Sequence, residues 1–211
     1  MKILGLIPAK GMSMRIPYKN LVDLGGRPLI EWTIAAAKES GVCDVVVSSE
    51  DSRIHKVAHL AGVTVLSRPD DLAKSDTPSM DVVRHAVANI PCDLLILLQP
   101  TSPFRTAEDI RATIDIFDRT GCDSVVSVTT QLDHSGKLTF GFGHAGRLRP
   151  KPCLMENGAI FAITTDALRA GEDWYSGICH GYEMPPDRAI DIDTLADLEE
   201  ARAILARRKV A

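Results

Sequence analysis

Residues 2–20 read KILGLIPAKGMSMRIPYKN, and this stretch decides the fold. Lys2 to Ile7 form a short apolar run without polar alternation, which is typical of a strand buried on both faces of a parallel sheet. The loop that follows holds one glycine and the cations Lys10, Arg15 and Lys19. Because open α/β sheets bind ligands beyond the carboxyl ends of their strands, this loop is a candidate phosphate site. It lacks the standard glycine-rich phosphate motifs, so a solvated basic turn remains an alternative.

Further strands and helices alternate along the chain after this loop. Four more apolar runs predict strands at Asp44–Ser48, Val63–Leu66, Asp93–Leu98 and Ser124–Val128. The segments between the predicted strands have the length of helices, at Pro28–Ser40, Ser52–Ala61, Ser79–Asn89 and Ala107–Arg119. Asp51 and Thr106 are suited to cap two of them. This alternation predicts an α/β fold with a mixed, mostly parallel sheet and helices on both faces.

The alternation breaks between Gln131 and Asn157, where glycine and proline are frequent. We expect an excursion from the sheet there (about residues 131–157), which forms either a lid or a dimer contact. Regularity returns with a predicted strand at Gly158–Ile163 and a final helix at Thr194–Arg207. Since there is no repeat, low-complexity tract or linker, residues 1–211 are predicted to form a single domain.

Composition excludes several classes of function. The formal net charge is −4 and the sequence pI is about 5.9. Nothing in this balance suggests a nucleic-acid or membrane-surface partner, which would normally require a basic face. The five cysteines include no C-x-x-C pair, which favours reduced thiols. The first residues are too few and too soon polar for a signal peptide or membrane span. We therefore expect a soluble cytoplasmic protein without nucleic-acid or membrane partners.

A second polar cluster, LLQPTSPFR at residues 97–105, directly follows the most apolar predicted strand. Its potential ligand-binding side chains are Gln99, Thr101, Ser102 and Arg105. Two prolines would hold the turn rigid at the ligand-binding edge of the sheet. Ordinary turn chemistry also favours Pro, Ser and Thr, so the cluster alone is a weak signal.

A third cluster, DRAIDIDT at residues 187–194, carries two aspartates two residues apart. In a strand, Asp191 and Asp193 would point to one face while Ile190 and Ile192 enter the core. Paired carboxylates suit a hard divalent cation such as Mg²⁺, which also binds substrate phosphates and waters. Alternatively, Asp193 begins the capping of the final helix.

These clusters together resemble a known family. The stretch IPAKGMSMRIPYKN resembles the I-P-A-R-G-G-S-K-x-I-P-x-K-N signature of the acylneuraminate cytidylyltransferases, or CMP-sialic acid synthetases. The resemblance continues, in the family's order, through LGGRPLIEWTI, SRPDDLAKSDTPSMD, LLQPTSPFR, ENGAIF and IDIDT. It covers nearly the whole chain apart from residues 131–153. It implies a Rossmann-like nucleotidyltransferase fold (GT-A-like), with the active site above a mixed sheet.

The resemblance also implies a reaction and a set of site residues. A sialic-type sugar would attack the α-phosphorus of CTP through its anomeric hydroxyl and release pyrophosphate, in a homodimer that uses Mg²⁺. The implied nucleotide-binding residues are Pro8, Ala9, Lys10, Gly11, Ser13, Arg15, Lys19, Asn20, Arg68 and Ser79. The implied sugar-binding residues are Gln99, Thr101, Ser102, Arg105 and Asn157. Metal binding is implied for Asp191 and Asp193, and a catalytic role for Lys10, Arg15 and Asp191.

Simpler roles and other activities remain open. Arg68 could be a solvated loop residue and Ser79 a helix cap. Lys10 stands where the family usually has Arg, and Met14 where it usually has Lys, so the phosphate loop has lost one cation. The alternatives are a related enzyme acting on the eight-carbon sugar KDO or on a sugar phosphate, and a nucleotide-binding homologue without catalysis. Neither the sugar (sialic, legionaminic or pseudaminic acid) nor a general base is identified by the sequence.

Overall fold

The computed structural model describes residues 1–130, 140–142 and 150–210. The strands are β1 (Ile3–Pro8), β2 (Asp44–Ser49), β3 (Thr64–Ser67), β4 (Leu94–Leu98), β5 (Ser124–Thr130), β6 (Phe140–Phe142), β7 (Pro150–Pro152), β8 (Leu154–Thr164) and β9 (Cys179–Glu183). The α-helices are α1 (Leu29–Ser40), α2 (Ser52–Leu60), α3 (Ser79–Asn89), α4 (Ala107–Thr120), α5 (Thr165–Arg169) and α6 (Leu195–Val210). Short 3-10 turns lie at Lys19–Leu21, Asp70–Ala73 and Pro186–Arg188.

Seven strands form one sheet in the order β3-β2-β1-β4-β8-β5-β9. Strand β1 pairs in parallel with both β2 and β4, whereas β8 is antiparallel to its neighbours β4 and β5. The prediction of a mixed, mostly parallel sheet is thus confirmed. From β1 the chain runs outward to β2 and β3 and then returns to β4 on the other side. The gap between β1 and β4 is therefore the topological switch point, where open α/β sheets bind ligands.

Helices cover both faces of the sheet, as the apolar runs predict. In β4, Leu94, Ile96 and Leu98 join a core cluster with residues of α1, α2 and α4. Leu95 and Leu97 join the cluster on the opposite face, with residues of α3 and α5. All five leucine and isoleucine side chains of β4 are fully buried. This two-sided burial explains why the strand is continuously apolar.

Two predicted helix caps are confirmed, and the alternative interpretation of Ser79 as a helix cap is wrong. The Asp51 carboxylate accepts a hydrogen bond from the Arg53 backbone N–H at the start of α2. Thr106 and Asp109 form a reciprocal capping box at the start of α4. Ser79 does not cap α3, because the cap position is taken by Pro78 and Ser79 is already helical.

The predicted strand around Asp191 is also wrong. Residues 189–193 follow a 3-10 turn and lie in no strand. Their backbone binds the loop after β4 instead, because the Ile192 N–H donates to the Thr101 carbonyl at 2.8 Å. Ile192 is nonetheless fully buried, in a third core cluster with Leu24, Leu198 and other residues beside α6. Helix α6 is capped by Thr194, so Asp193 is not its cap.

The predicted excursion at 131–157 contains the antiparallel pair β6–β7 and the start of β8. Its remaining residues, 131–139 and 143–149, lie outside the described residues, and so does the prediction of a lid or dimer contact that depends on them. In the described part of the chain, no helix combines the length and apolarity needed to cross a membrane. All five cysteines lie in that part, and none is bonded to another.

Candidate active site

A cavity of about 360 Å³ opens at the carboxyl ends of the parallel strands. Pro8 ends β1, while Arg68 and Gln99 directly follow β3 and β4, so the parallel sheet brings three distant segments to one edge. The predicted site residues that line the cavity are Pro8, Lys10, Lys19, Asn20, Arg68, Ser79, Gln99, Thr101, Asp191 and Asp193. Lys74 and Thr77, which the sequence analysis did not single out, also line it.

The basic loop after β1 is tied to the acidic segment near the C-terminus. The Lys19 ammonium donates to the Ile192 carbonyl and to Asp193 Oδ1, each at 2.9 Å. The Arg15 guanidinium donates to Asp193 Oδ2 at 2.7 Å from the exposed rim of the cavity. Asn20 closes the loop by donating to the Lys10 carbonyl at 2.9 Å. Cations and carboxylates are therefore held beside one another, although 170 or more residues separate them in sequence.

The two aspartates have different electrostatic environments. The hydrogen bond from Lys19 lowers the pKa of Asp193, and Arg15 lowers it further. Partial burial raises the pKa of Asp191, although its side chain remains accessible to solvent; a hydrogen bond with Thr101 opposes this rise. Asp193 is therefore ionised and already paired with the cations of Lys19 and Arg15. The negative charge of Asp191 is less well compensated by nearby cations.

The donor set at the aspartates fits one type of metal. Among the described residues, no group of three or more His, Cys, Asp or Glu side chains is placed to hold a metal ion. Zinc and calcium sites built from protein ligands require such a group. Magnesium usually takes one or two carboxylates and completes its shell with phosphates and waters. Asp191 and Asp193 thus fit a magnesium ion that is bound together with a phosphorylated substrate.

Glu50, which the sequence analysis missed, links two of the predicted nucleotide-binding residues. It follows β2, and its carboxylate accepts from the Gly11 N–H at 2.6 Å and from Arg68 Nη2 at 3.1 Å. Arg68 is buried, and its Nε–H has no hydrogen-bond partner among the described residues. A side chain at Gly11 would collide with Asp51, since a Cβ would lie 2.2 Å from Asp51 Oδ2. Ligands bind beyond the carboxyl ends of parallel strands, and Glu50 directly follows β2, so the same argument that selected the other loops could have identified it.

A β-bulge in β8 brings backbone close to the cavity. The register between β5 and β8 shifts at residues 126–128, and Gly158 adopts a φ of +72°. A Cβ at Gly158 would lie 3.2 Å from Gln99 Oε1 and 3.5 Å from Asp191 Oδ2. Glycine there leaves room for the predicted sugar-binding Gln99 beside the predicted metal ligand Asp191.

Several predicted site residues do not line this cavity: Ala9, Gly11, Ser13, Arg15, Ser102, Arg105 and Asn157. Ala9 and Ser102 are fully buried. Asn157 lies in the β-bulge behind the cavity, where its Oδ1 accepts from Ser127 at 2.6 Å. Arg15 contacts the cavity residue Asp193 directly. Gly11 is linked to the cavity residue Arg68 through Glu50.

Arg105 departs furthest from its predicted position. Its guanidinium is buried and donates to the Ala159 carbonyl at 2.6 Å and to Thr33 Oγ1 at 2.7 Å. Its Nη1 also donates to the carbonyl of Gln99 at 3.3 Å. The guanidinium therefore contacts the backbone of the predicted sugar-binding Gln99 but does not line the cavity. Burial lowers the pKa of Arg105 to about 9, with a partial offset from Asp109.

Comparison with known protein families and curated sequences gives a consistent result. A family model described as cytidylyltransferase matches residues 4–139. The chain is 42% identical to the CMP-N,N'-diacetyllegionaminic acid synthase of Legionella pneumophila, over 93% of each protein. It is 27% identical to the N-acylneuraminate cytidylyltransferase of Streptococcus agalactiae, over 93% of this chain and 52% of that protein. It is also 31% identical to N-acylneuraminate cytidylyltransferase B of Danio rerio, over 91% of this chain and 48% of that protein. The chain thus spans about half the length of the last two relatives.

Solved structures with low sequence identity share the fold. A CMP:2-keto-3-deoxy-manno-octonic acid synthetase complexed with CTP superposes with a TM-score of 0.78 at 18% identity, covering 99% of this chain and all of the other. The 4-diphosphocytidyl-2C-methyl-D-erythritol synthase of Anaerococcus prevotii gives 0.70 at 15% identity, over 98% and 99% of the two chains. At these identities the likeness establishes only the fold, which is the Rossmann-like nucleotidyltransferase fold expected from the sequence.

Proposed function

Because the chain belongs to the cytidylyltransferase family, we propose that it transfers CMP from CTP to the anomeric hydroxyl of a sialic-type nonulosonic acid and releases pyrophosphate. The observation that supports this most directly is the convergence of Lys10, Lys19 and Arg68 with the carboxylates of Asp191 and Asp193 in one cavity at the switch point of the sheet. The cations are suited to bind the phosphates of CTP, and the carboxylate pair is suited to bind the magnesium ion that accompanies them.

Phosphoryl-type transfer depends chiefly on positioning and charge neutralisation, which these residues are placed to supply. Lys10 forms no ion pair among the described residues, so its charge is free to stabilise the departing pyrophosphate. Arg15 is engaged with Asp193, but this ion pair is exposed and costs only about 0–1 kcal/mol to exchange for a phosphate contact. Asp191 and Asp193 would hold magnesium, which when bound neutralises phosphate charge and lowers the pKa of a coordinated hydroxyl.

Within the sugar class, we propose a diacetylated nonulosonic acid of the legionaminic type as the first substrate to test. This proposal is supported by the Legionella relative, which the chain matches over 93% of both lengths at 42% identity. KDO is the second candidate, since the 3-deoxy-manno-octulosonate cytidylyltransferase of Bdellovibrio bacteriovorus is 36% identical, but over only 56% of this chain.

The test is pyrophosphate release from purified protein with CTP and Mg²⁺, against legionaminic, sialic and pseudaminic acids, KDO and sugar phosphates. We expect release that requires one nonulosonic acid and prefers CTP over other nucleotides. Release only with KDO or a sugar phosphate would transfer the assignment to that substrate. Silence across the panel, with CTP still bound, would establish a homologue that has lost catalysis.

The metal assignment is tested with Asp191→Asn and a matched control, Asp187→Asn, which changes an exposed aspartate on the same segment. We expect Asp191→Asn to lose Mg²⁺-dependent turnover and Asp187→Asn to keep it, while both variants unfold like the parent protein. Unchanged turnover in Asp191→Asn would show that the magnesium ion is held elsewhere.

We also propose a homodimer located in the cytoplasm. The dimer is suggested by the resemblance to acylneuraminate cytidylyltransferases, and the location by the scattered, unpaired cysteines. Sedimentation of the purified protein and fractionation of cells test the two proposals separately.

A further inference from the structure

A second cavity, of about 470 Å³, lies between α1, the start of α4 and the C-terminal part of α6. Its volume is within the range of small-molecule sites. None of its described lining residues lines the candidate active site. Its charged lining residues are five arginines and two glutamates: Arg27, Arg105, Arg111, Arg188, Arg208, Glu39 and Glu108.

Arg105 is the central observation, because it is a buried cation without a paired carboxylate among the described residues. It is only 3% exposed, and its three hydrogen-bond acceptors are uncharged: the carbonyls of Gln99 and Ala159 and the hydroxyl of Thr33. Its Nε–H has no partner among the described residues. Burying a charge without a paired counter-ion is costly, and Asp109 offsets only part of that cost. An anion in this cavity would compensate the remainder.

Other donors surround the same space. Arg188 pairs with Asp109 through Nη2 at 2.6 Å, but its Nε–H is buried and lacks a partner in the described part of the chain. The Arg27 guanidinium lies 3.5 Å from the ring centroid of Trp32, and no ion pair is found for it among the described residues. Arg27 thus places a cation against the aromatic face of Trp32 at the wall of the cavity.

Acidic residues cancel part of the arginine charge in this cavity. Glu108 is paired with Arg111 at 2.9 Å, Asp109 with Arg188 at 2.6 Å, and Asp187 lies 3.5 Å from Arg208. Among the described residues, Arg27 and Arg105 are therefore the lining arginines without an ion pair, and Glu39 opposes their charge. The positive charge that remains on Arg27 and Arg105 therefore favours a small anionic ligand.

We propose that this cavity is a second ligand site, distinct from the active site, for a small phosphate-bearing molecule held by Arg105, Arg188 and Arg27. The proposal rests on the buried Nε–H groups of Arg105 and Arg188, which lack hydrogen-bond partners among the described residues. It does not depend on the proposed function. Residues 99–105 connect the two sites, since Gln99 and Thr101 line the active-site cavity while Phe104 and Arg105 line this one.

Tryptophan fluorescence can report this site separately from the active site. The chain has two tryptophans, and only Trp32 lines the second cavity; Trp174 packs against Phe161 on the other face of the sheet. In a Trp174→Phe background, we would titrate inorganic phosphate, pyrophosphate and CMP while recording Trp32 emission. We expect a saturable change with at least one of them, and the preferred ligand distinguishes an inorganic anion from a nucleotide.

Matched variants then locate the binding. We expect Arg27→Gln and Arg188→Gln to raise the apparent dissociation constant at least tenfold, whereas Lys10→Gln in the active site and Arg84→Gln on the exposed surface leave it within twofold. Circular dichroism checks that each variant is folded. The absence of a saturable change with all three probes, or a change weakened only by Lys10→Gln, would overturn the proposal.

Discussion

Replacement of Gly158 by alanine tests whether the β-bulge in β8 shapes the active site. The backbone at Gly158 has a φ of +72°, a left-handed conformation that costs an L-residue about 1–2 kcal/mol. Alanine also has less conformational entropy to lose on folding, which returns part of that cost. We therefore expect Gly158→Ala to lower the free energy of unfolding by about 1 kcal/mol.

The effect on activity comes from the position of the new methyl group. It would lie 3.2 Å from Gln99 Oε1, closer than normal contact, so the Gln99 amide must move by a few tenths of an ångström. A displacement of 1 Å can cost about 100-fold in rate, so a shift of this size predicts a loss of roughly tenfold in kcat/KM for the sugar. KM for CTP should change little, because the nucleotide is predicted to bind on the Arg68 side of the cavity.

Gly121→Ala is the matched control, since Gly121 has a φ of +62° at the end of α4 and nothing within 4 Å of a Cβ there. Urea unfolding and steady-state pyrophosphate release would be measured for both variants. We expect similar losses of stability and a loss of activity in Gly158→Ala alone. Equal kcat/KM in the two variants would refute the argument that Gly158 makes room for Gln99 beside Asp191.

Two further predictions concern Asp109 and the phosphate loop. Burial alone raises the pKa of Asp109, but hydrogen bonds from Thr106, Tyr182 and Arg188 outweigh it and hold the pKa below its usual value. The stability that Asp109 contributes is thus complete above about pH 4 and lost as the pH falls through the folded-state pKa. Urea unfolding between pH 2.5 and 7 should give a flatter pH dependence for Asp109→Asn, and an unchanged slope would contradict this. Met14→Lys restores a cation to the phosphate loop at a position that is 85% exposed. It should raise kcat/KM about tenfold or more without changing the free energy of unfolding. An unchanged kcat/KM would show that Arg15 already compensates for the missing cation.

The features that the sequence predicted well depend on short stretches of chain. Strands β1 and β4 are almost continuously apolar because both faces of the sheet are covered, and their loops meet at one edge because parallel strands share a direction. The family resemblance is likewise confirmed by the match over residues 4–139. Each of these inferences needed only local pattern and the geometry of a parallel sheet.

The features that the sequence missed depend on distant partners. The run GAIFAI predicts a strand, but nothing in it specifies an antiparallel place between β4 and β5, which is set by pairing with residues 94–98 and 124–130. Strand β9, with the sequence CHGYE, lies at the sheet edge, where alternate residues are only half-buried and propensity is weak. Arg105 resembles its polar neighbours in sequence, and only the tertiary acceptors Thr33 and Ala159 turn it inward.

The aspartate pair shows how a wrong local structure can still give a useful interpretation. The alternation of Ile192 with Asp191 and Asp193 indicated a buried isoleucine between two accessible carboxylates, and this arrangement holds although the segment is not a strand. Its cause is the core beside α6, where Ile192 packs with Leu198 and fixes the flanking residues over the cavity. The position of the proposed metal ligands is therefore set by apolar packing of the C-terminal helix. A core substitution such as Leu198→Ala, which typically costs about 2–5 kcal/mol, would then disturb the proposed metal site without touching a ligand.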